Sequence, residues 1–172
     1  MNIIGHFKTI TKHRHKVIAN CFRAGIGFQG LFHDLSKYSP KEFFPGVKYY
    51  IGTRSPNDIQ REKFGYSSAW LHHQGRNKHH FEYWRDYDRV THEIVPVEMP
   101  LRYVKEMFCD RVAASKIYKG KDYSIKHPLE YYKHSRARSF MHQKNADMLE
   151  EWLVMLSEKG EKETFKYIRS LK

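Results

Sequence analysis

Apolar residues recur at intervals of three and four through most of the chain, and the breaks in that rhythm fall on glycine, proline or asparagine. Such a period suits helices that each bury one face and leaves little room for a sheet. The spacing predicts a first helix over Met1 to Ala24, stopped by Gly25 and Gly27, and a short one over Phe28 to Lys37. Ser39-Pro40 opens the next, through about Tyr50, because proline is pre-organised for a first helical turn. Gly52 to Asn57 reads as a loop, after which Asp58 is placed to cap a helix running to Gln74. Gly75 and Asn77 end it, and His79 to Tyr87 fits no single pattern. Thr91 to Val97 is β-like and is expected to be extended rather than part of a sheet. Pro100 opens a helix through Lys119, stopped by Gly120. Another is expected from Pro128 to about Lys159, with a break near Ser135, and a last one from Glu161 to Leu171 beyond Gly160. The expected fold is all-α.

Nothing divides the chain into parts. There is no internal repeat, low-complexity tract or linker, and 172 residues suit one domain spanning 1–172. With 40% hydrophobic and 29% charged residues the composition is globular. Lys and Arg number 31 against 19 Asp and Glu, a formal charge of +12, which favours anionic partners such as phosphate esters or nucleic acid. No apolar run approaches the roughly 18 residues of a membrane span, and Met1 to Lys16 is too basic and broken to be a signal peptide. Cys21 and Cys109 lie far apart in apolar surroundings, so a disulfide is not expected and the reducing cytoplasm is the expected compartment.

Within this helical pattern, certain polar residues occupy positions that should be apolar. In the Pro100 helix one stripe reads Tyr103, Met107, Asp110, Ala114, Ile117, which aims Asp110 inward. A buried carboxylate costs several kcal/mol, roughly, unless it is paired or binds a metal. In the first helix the stripe Ile10, His13, Val17, Cys21, Ala24 turns His13 inward, while the competing stripe through His15 (Lys8, Thr11, His15, Ile18, Phe22) starts wetter. The stripe Ile59, Lys63, Tyr66, Trp70, His73 favours His73 over His72. Three helices thus point a potential ligand at the interior, and His33-Asp34 adds a contiguous pair. Nitrogen and carboxylate donors in that mix suit Mn, Fe, Co, Ni or Zn, with no thiolate involved.

The ordered set His13, His33-Asp34 and Asp110 resembles the HD-domain metal-dependent phosphohydrolase superfamily, whose members carry one His, an adjacent His-Asp and a distant Asp on helices. Leu31-Phe32-His33-Asp34-Leu35-Ser36-Lys37 is similar to the family's apolar-apolar-His-Asp-x-Gly-Lys signature, with Ser36 in place of glycine. Cys109-Asp110-Arg111-Val112-Ala113-Ala114 is similar to its final Asp on a small-residue helix. More narrowly, His33 to Pro40 with Glu42-Phe43, and His73 with Asn77, His79, His80, Glu82, Tyr83 and Trp84, resemble an uncharacterised bacterial and phage group (DUF5662-like). The broader resemblance implies an HD-like helical bundle and one or two divalent ions.

It further implies that His13, His33, Asp34 and Asp110 hold one ion, with Asp34 able to bridge to a second held by His73, His79 or His80. Asp34 and Lys37 would be the catalytic pair, Lys37 reaching a phosphate or orienting the aspartate. Arg76, Asn77 and Lys78 are candidates for substrate contact, Asn77 alternatively ordering its loop, and Glu42 and Glu82 are candidate partners for the free ring N–H groups of ligating histidines. The expected activity is hydrolysis of a phosphate ester, a nucleotide by analogy. Two alternatives remain: a basic nucleic-acid-binding module, since residues 1 to 33 contain Lys8, Lys12, Arg14, Lys16 and Arg23 but no acid, and an inactive HD fold that binds metal only for stability.

Overall fold

The computed structural model describes residues 2–172; Met1, where the first expected helix begins, lies outside them. Eight α-helices dominate: α1 (Ile3–Arg23), α2 (Gly27–Gly30), α3 (Pro40–Lys48), α4 (Pro56–Phe64), α5 (Ser68–Gln74), α6 (Leu101–Lys119), α7 (His127–His134) and α8 (Gln143–Ser170). The fold is all-α apart from one small hairpin. Asn2 caps α1, its side-chain oxygen accepting from the Gly5 amide at 2.7 Å.

Several boundaries differ from those expected, each for a local reason. The helix expected over 28–37 is α-helical only to Gly30; turns follow, Asp34 takes φ 53°, and a 3-10 turn covers Leu35–Tyr38. Arg14 of α1 donates to the carbonyls of Leu31 and His33, groups that a continuing helix would have satisfied itself. The helix expected over Asp58–Gln74 is two. Gly65 takes φ 79° and ends α4, and the Ser67 hydroxyl then caps α5 by accepting from the Trp70 amide at 3.1 Å. Ser55, rather than Asp58, caps α4.

Thr91–Val97 is not merely extended. Its Ile94–Pro96 (β2) pairs antiparallel with Arg85–Tyr87 (β1), in the register Arg85 to Pro96 and Tyr87 to Ile94. The partner strand is Arg-Asp-Tyr and largely exposed, so it carries no alternation to mark it. Asp88 organises the turn by accepting from the amides of Val90 and Thr91. The break expected near Ser135 spans residues 135 to 142 and includes a 3-10 turn at Ala137–Phe140. At Gly160 the backbone leaves the helical region (φ 77°, ψ 173°), so α8 is two helical segments meeting at a kink, and the separation expected there is present.

The core lies mainly between α1, α6 and α8. Val17 and Cys21 of α1, Val104, Phe108 and Val112 of α6, and Leu149, Trp152, Leu153 and Leu156 of α8 are all fully buried. Phe108 meets Trp152 edge-on at 6.0 Å and Phe165 at 5.5 Å. Residues 104, 108 and 112 lie roughly opposite 106 and 110 on a helix with about 3.6 residues per turn. Asp110 is therefore not on the core stripe of α6, as its apolar neighbours suggested. Its face is a second, acidic one, turned to α1 and the 31–38 turn, where Asp110 and Glu106 meet His13 and His33. Among the described residues no helix is long and apolar enough to cross a membrane.

Candidate metal centre

Asp34 sits at the middle of the cluster, its left-handed backbone turning the side chain inward beside His33. Its Oδ2 lies 2.6 Å from Lys37 Nζ, 3.2 Å from His33 Nε2 and 3.9 Å from His13 Nε2. Across from it, Asp110 Oδ1 is 2.9 Å from His13 Nε2 and 3.6 Å from His33 Nε2. The other carboxylate oxygen of Asp34, Oδ1, faces the opposite way, 3.2 Å from His73 Nε2 and 3.5 Å from His79 Nε2. His80 completes that side, its ring centroid 4.1 Å from that of His79 and 4.8 Å from that of His73.

Two quartets result, His13-His33-Asp34-Asp110 and Asp34-His73-His79-His80, each with its donor atoms within 4.8 Å of one another. The Nε2 atoms of all five histidines and both oxygens of Asp34 are buried without a hydrogen bond of good geometry, Oδ2 being met by Lys37 as an ion pair at 2.6 Å. Seven such atoms in one place would be very costly if nothing joined them. Close spacing without hydrogen-bond geometry is what donors directed at a shared cation produce. These buried groups could hold a metal ion.

The far sides of the rings are tied down. Glu106 Oε1 accepts from His33 Nδ1 at 2.8 Å and lies 3.3 Å from His79 Nδ1. The Glu42 carboxylate accepts from His73 and His72 Nδ1, both at 2.7 Å. A proton held on Nδ1 leaves the Nε2 lone pair free for a cation, the usual arrangement of ligating histidines. Ser36, in the glycine position of the HD signature, accepts from Asn77 Nδ2 at 2.8 Å, and Asn77 also bonds the His73 carbonyl at 2.8 Å. The departure from glycine thus ties the 31–38 turn to the end of α5.

A comparison with protein families matches residues 2–155 to a family of unknown function (DUF5662). The chain belongs to that family. Its span takes in every residue of both quartets. No HD-domain family matches, so the resemblance read from His13, His33-Asp34 and Asp110 has no support from the comparison. No curated protein and no solved structure matches the chain.

Charge in this DUF5662 chain's cluster is finely opposed. Burial favours the neutral acid of Asp34, but His33, Lys37 and His73 outweigh it and hold the carboxyl well below its usual range. His13 and His33 do the same for Asp110. Burial likewise opposes ionisation of Glu106, yet the hydrogen bonds from His33 and His79 hold it at about 2. Burial, then the charge of Lys37, lowers His13; burial, then His79 and His73, lowers His80. Burial is overcome at His33 by Asp34 and Asp110, and at His73 by Asp34, so both are raised. At Lys37 burial is overcome by Asp34 and Asp110, and it stays a cation.

Of the residues singled out from sequence, His13, His33, Asp34, His73, His79, His80, Asp110 and Lys37 are brought together. His15 is exposed and plays no part, and His72 stands outside, bonded to the shared Glu42. Asn77 orders its loop. Arg76 and Lys78 are exposed: Arg76 reaches the His72 carbonyl at 3.4 Å, and Lys78 lies 5.7 Å from the Tyr83 ring. Neither is bonded to the cluster. Glu42 bonds the His73 ring, whereas Glu82 bonds no histidine; its Oε2 is buried and unpartnered. Glu106 was missed. It lies four residues before Asp110 and so shares its helical face, which is the signal that could have found it.

Proposed function

We propose that this chain is a metal-dependent phosphohydrolase of the HD type, acting on a phosphate ester, with nucleotides the leading substrate class. One observation carries the reading: seven buried donor atoms without a well-formed hydrogen bond, only one of them (Asp34 Oδ2) met by a lysine, gathered in two quartets that share Asp34. A single metal would use one quartet; the shared aspartate suits two, drawn from Mn, Fe, Co, Ni or Zn. His13, His33, Asp34 Oδ2 and Asp110 would hold the first, and Asp34 Oδ1, His73, His79 and His80 the second. Bound there, a divalent ion supplies hydroxide near neutral pH and offsets charge on the phosphoryl oxygens.

The chain's own residues divide the remaining work. His73 and His79 are each 2% exposed, whereas the side chain of Asp110 is 17% exposed and that of Lys37 28%, so substrate reaches the cluster from the Asp110–Lys37 side. Lys37 orients Asp34 and presents a permanent cation to an incoming phosphate. Glu106 and Glu42 hold the rings of His33 and His73 in the ligating tautomer. The buried, unbridged Cys21 and Cys109 fit a reducing compartment, and we place the protein in the cytoplasm.

Elemental analysis of the purified protein, followed by a panel of nucleotides and generic phosphate esters with each metal, tests this. One or two ions per chain and turnover abolished by chelation are expected. Bound metal without turnover of any ester would reassign the centre to a structural role, and no metal at any supplied concentration would end the reading.

A further inference from the structure

We propose that the outer face of α1 binds the phosphodiester backbone of single-stranded nucleic acid. His6, Ile10, His13 and Val17 turn one side of α1 into the protein, while Lys8, Lys12 and Lys16 recur every four residues on the other. With Phe7, Thr11 and His15 they line a shallow concavity of about 450 Å³. The cations there are unopposed. The first 33 residues contain no Asp or Glu, and among the described residues none of the three lysines forms an ion pair. Other cations on the surface do have carboxylate partners: Arg23 and Lys116 meet Glu161, Arg138 meets Asp147 and Glu150, and Lys144 meets Glu98.

An unopposed row of lysines along the open outer face of one helix complements a polyanion that releases its counterions on binding. Aromatic side chains stand at one end. Phe7 is 48% exposed and meets Tyr38 edge-on at 5.9 Å, and the Tyr38 hydroxyl lies 3.0 Å from that of Thr11. Rings beside a basic face suit the unstacked bases of a single strand. An anionic bilayer fits less well, because the apolar side of α1 is committed to the core and the exposed apolar residues of α1 lie at its two ends, Ile3, Ile4 and Phe7 at one and Phe22 at the other, rather than in a continuous face. Tyr38 follows Lys37, which contacts Asp34, so a strand lying on this face passes beside the candidate metal centre. The binding itself does not depend on the hydrolase reading.

The test is fluorescence anisotropy of labelled, mixed-sequence single-stranded DNA and RNA with the full-length protein in chelator, so that turnover plays no part. Binding should weaken with salt, and K8A/K12A/K16A should lose at least about tenfold in affinity, its salt slope falling by about 2. Circular dichroism checks its fold; should it not fold, the single variant Lys12→Gln should still lose about threefold. Equal binding by parent and folded variant overturns the proposal, as does absence of salt-dependent binding by the parent. Tighter binding to duplex DNA, or to phosphatidylserine vesicles with none to oligonucleotides, would overturn it in favour of that ligand.

Discussion

His13 Nε2 on α1 and Asp110 Oδ1 on α6 lie 2.9 Å apart, yet the histidine nitrogen has no hydrogen-bond partner. Two groups at that distance, held by separate helices and not bonded to each other, are arranged for a third. No lysine or arginine pairs with Asp110 among the described residues; its near neighbours are His13 and His33, and the group could hold a metal ion.

Asp110→Asn should therefore lose most bound metal and nearly all phosphatase activity while the helical fold survives. Without metal the variant should melt only modestly below the parent, since His13 and His33 favour the ionised carboxylate at that position. Only the parent should gain stability when metal is added. A loss of roughly 3–5 kcal/mol irrespective of metal would instead mark a broken buried ion pair. Elemental analysis and thermal melts with and without metal decide it.

Glu106→Gln and Glu42→Gln keep the shape of the groups that hold the His33 and His73 rings but remove their charge. Each should weaken metal binding by about 10- to 100-fold with little change in fold. Competition against a chromogenic chelator measures it; unchanged affinity in both would mean the rings are held by packing alone.

Metal affinity should rise with pH. His33 and His73 are raised above 6.5 in the metal-free protein, so at and below that pH a divalent ion must displace their protons. Calorimetry in buffers of different ionisation enthalpy should register net proton release near neutrality. A pH-independent affinity between pH 6 and 8 would contradict the ligand assignment of both rings.

His6 offers a further pH effect, its ring packed between aromatic neighbours rather than within either quartet. It is 6% exposed beside Phe43 and Tyr50, and burial, then the charge of Lys37, lowers it to about 4. The unfolded chain, with His6 near 6.5, binds the proton first, so stability is full above about 6.5 and falls as pH drops towards 4. The loss should approach about 3 kcal/mol. His6→Gln should flatten the urea midpoint between pH 6.5 and 5, a window above the titration of the depressed carboxyls. Identical pH profiles would show that His6 is not the titrating group.

The identity of the inward-facing residues was legible because helical periodicity is local. Ile10, His13, Val17 and Cys21 lie on one face of α1 whatever α1 packs against, and Gly25, Gly120 and Gly160 mark its end, the end of α6 and the kink in α8 through positive φ. The same arithmetic ranked His73 over His72 even though the helix assumed for it is broken at Gly65, since the two are adjacent within α5. Partnership was not local. Glu106 meets His33 across 73 residues of sequence, and Glu42 meets His73 across 31. Periodicity assigns each residue a face, but it does not say which two faces meet. The break after Gly30 illustrates the same limit: Arg14 satisfies the carbonyls of Leu31 and His33 from another helix, and only that contact lets His33 and Asp34 turn into one centre. Ligand types and most helix stops came from the order of the residues, whereas the stop at Gly65, and with it the helix count, did not. The two quartets and their shared oxygen pair came from packing, because a contact energy exists only once two distant segments occupy neighbouring space.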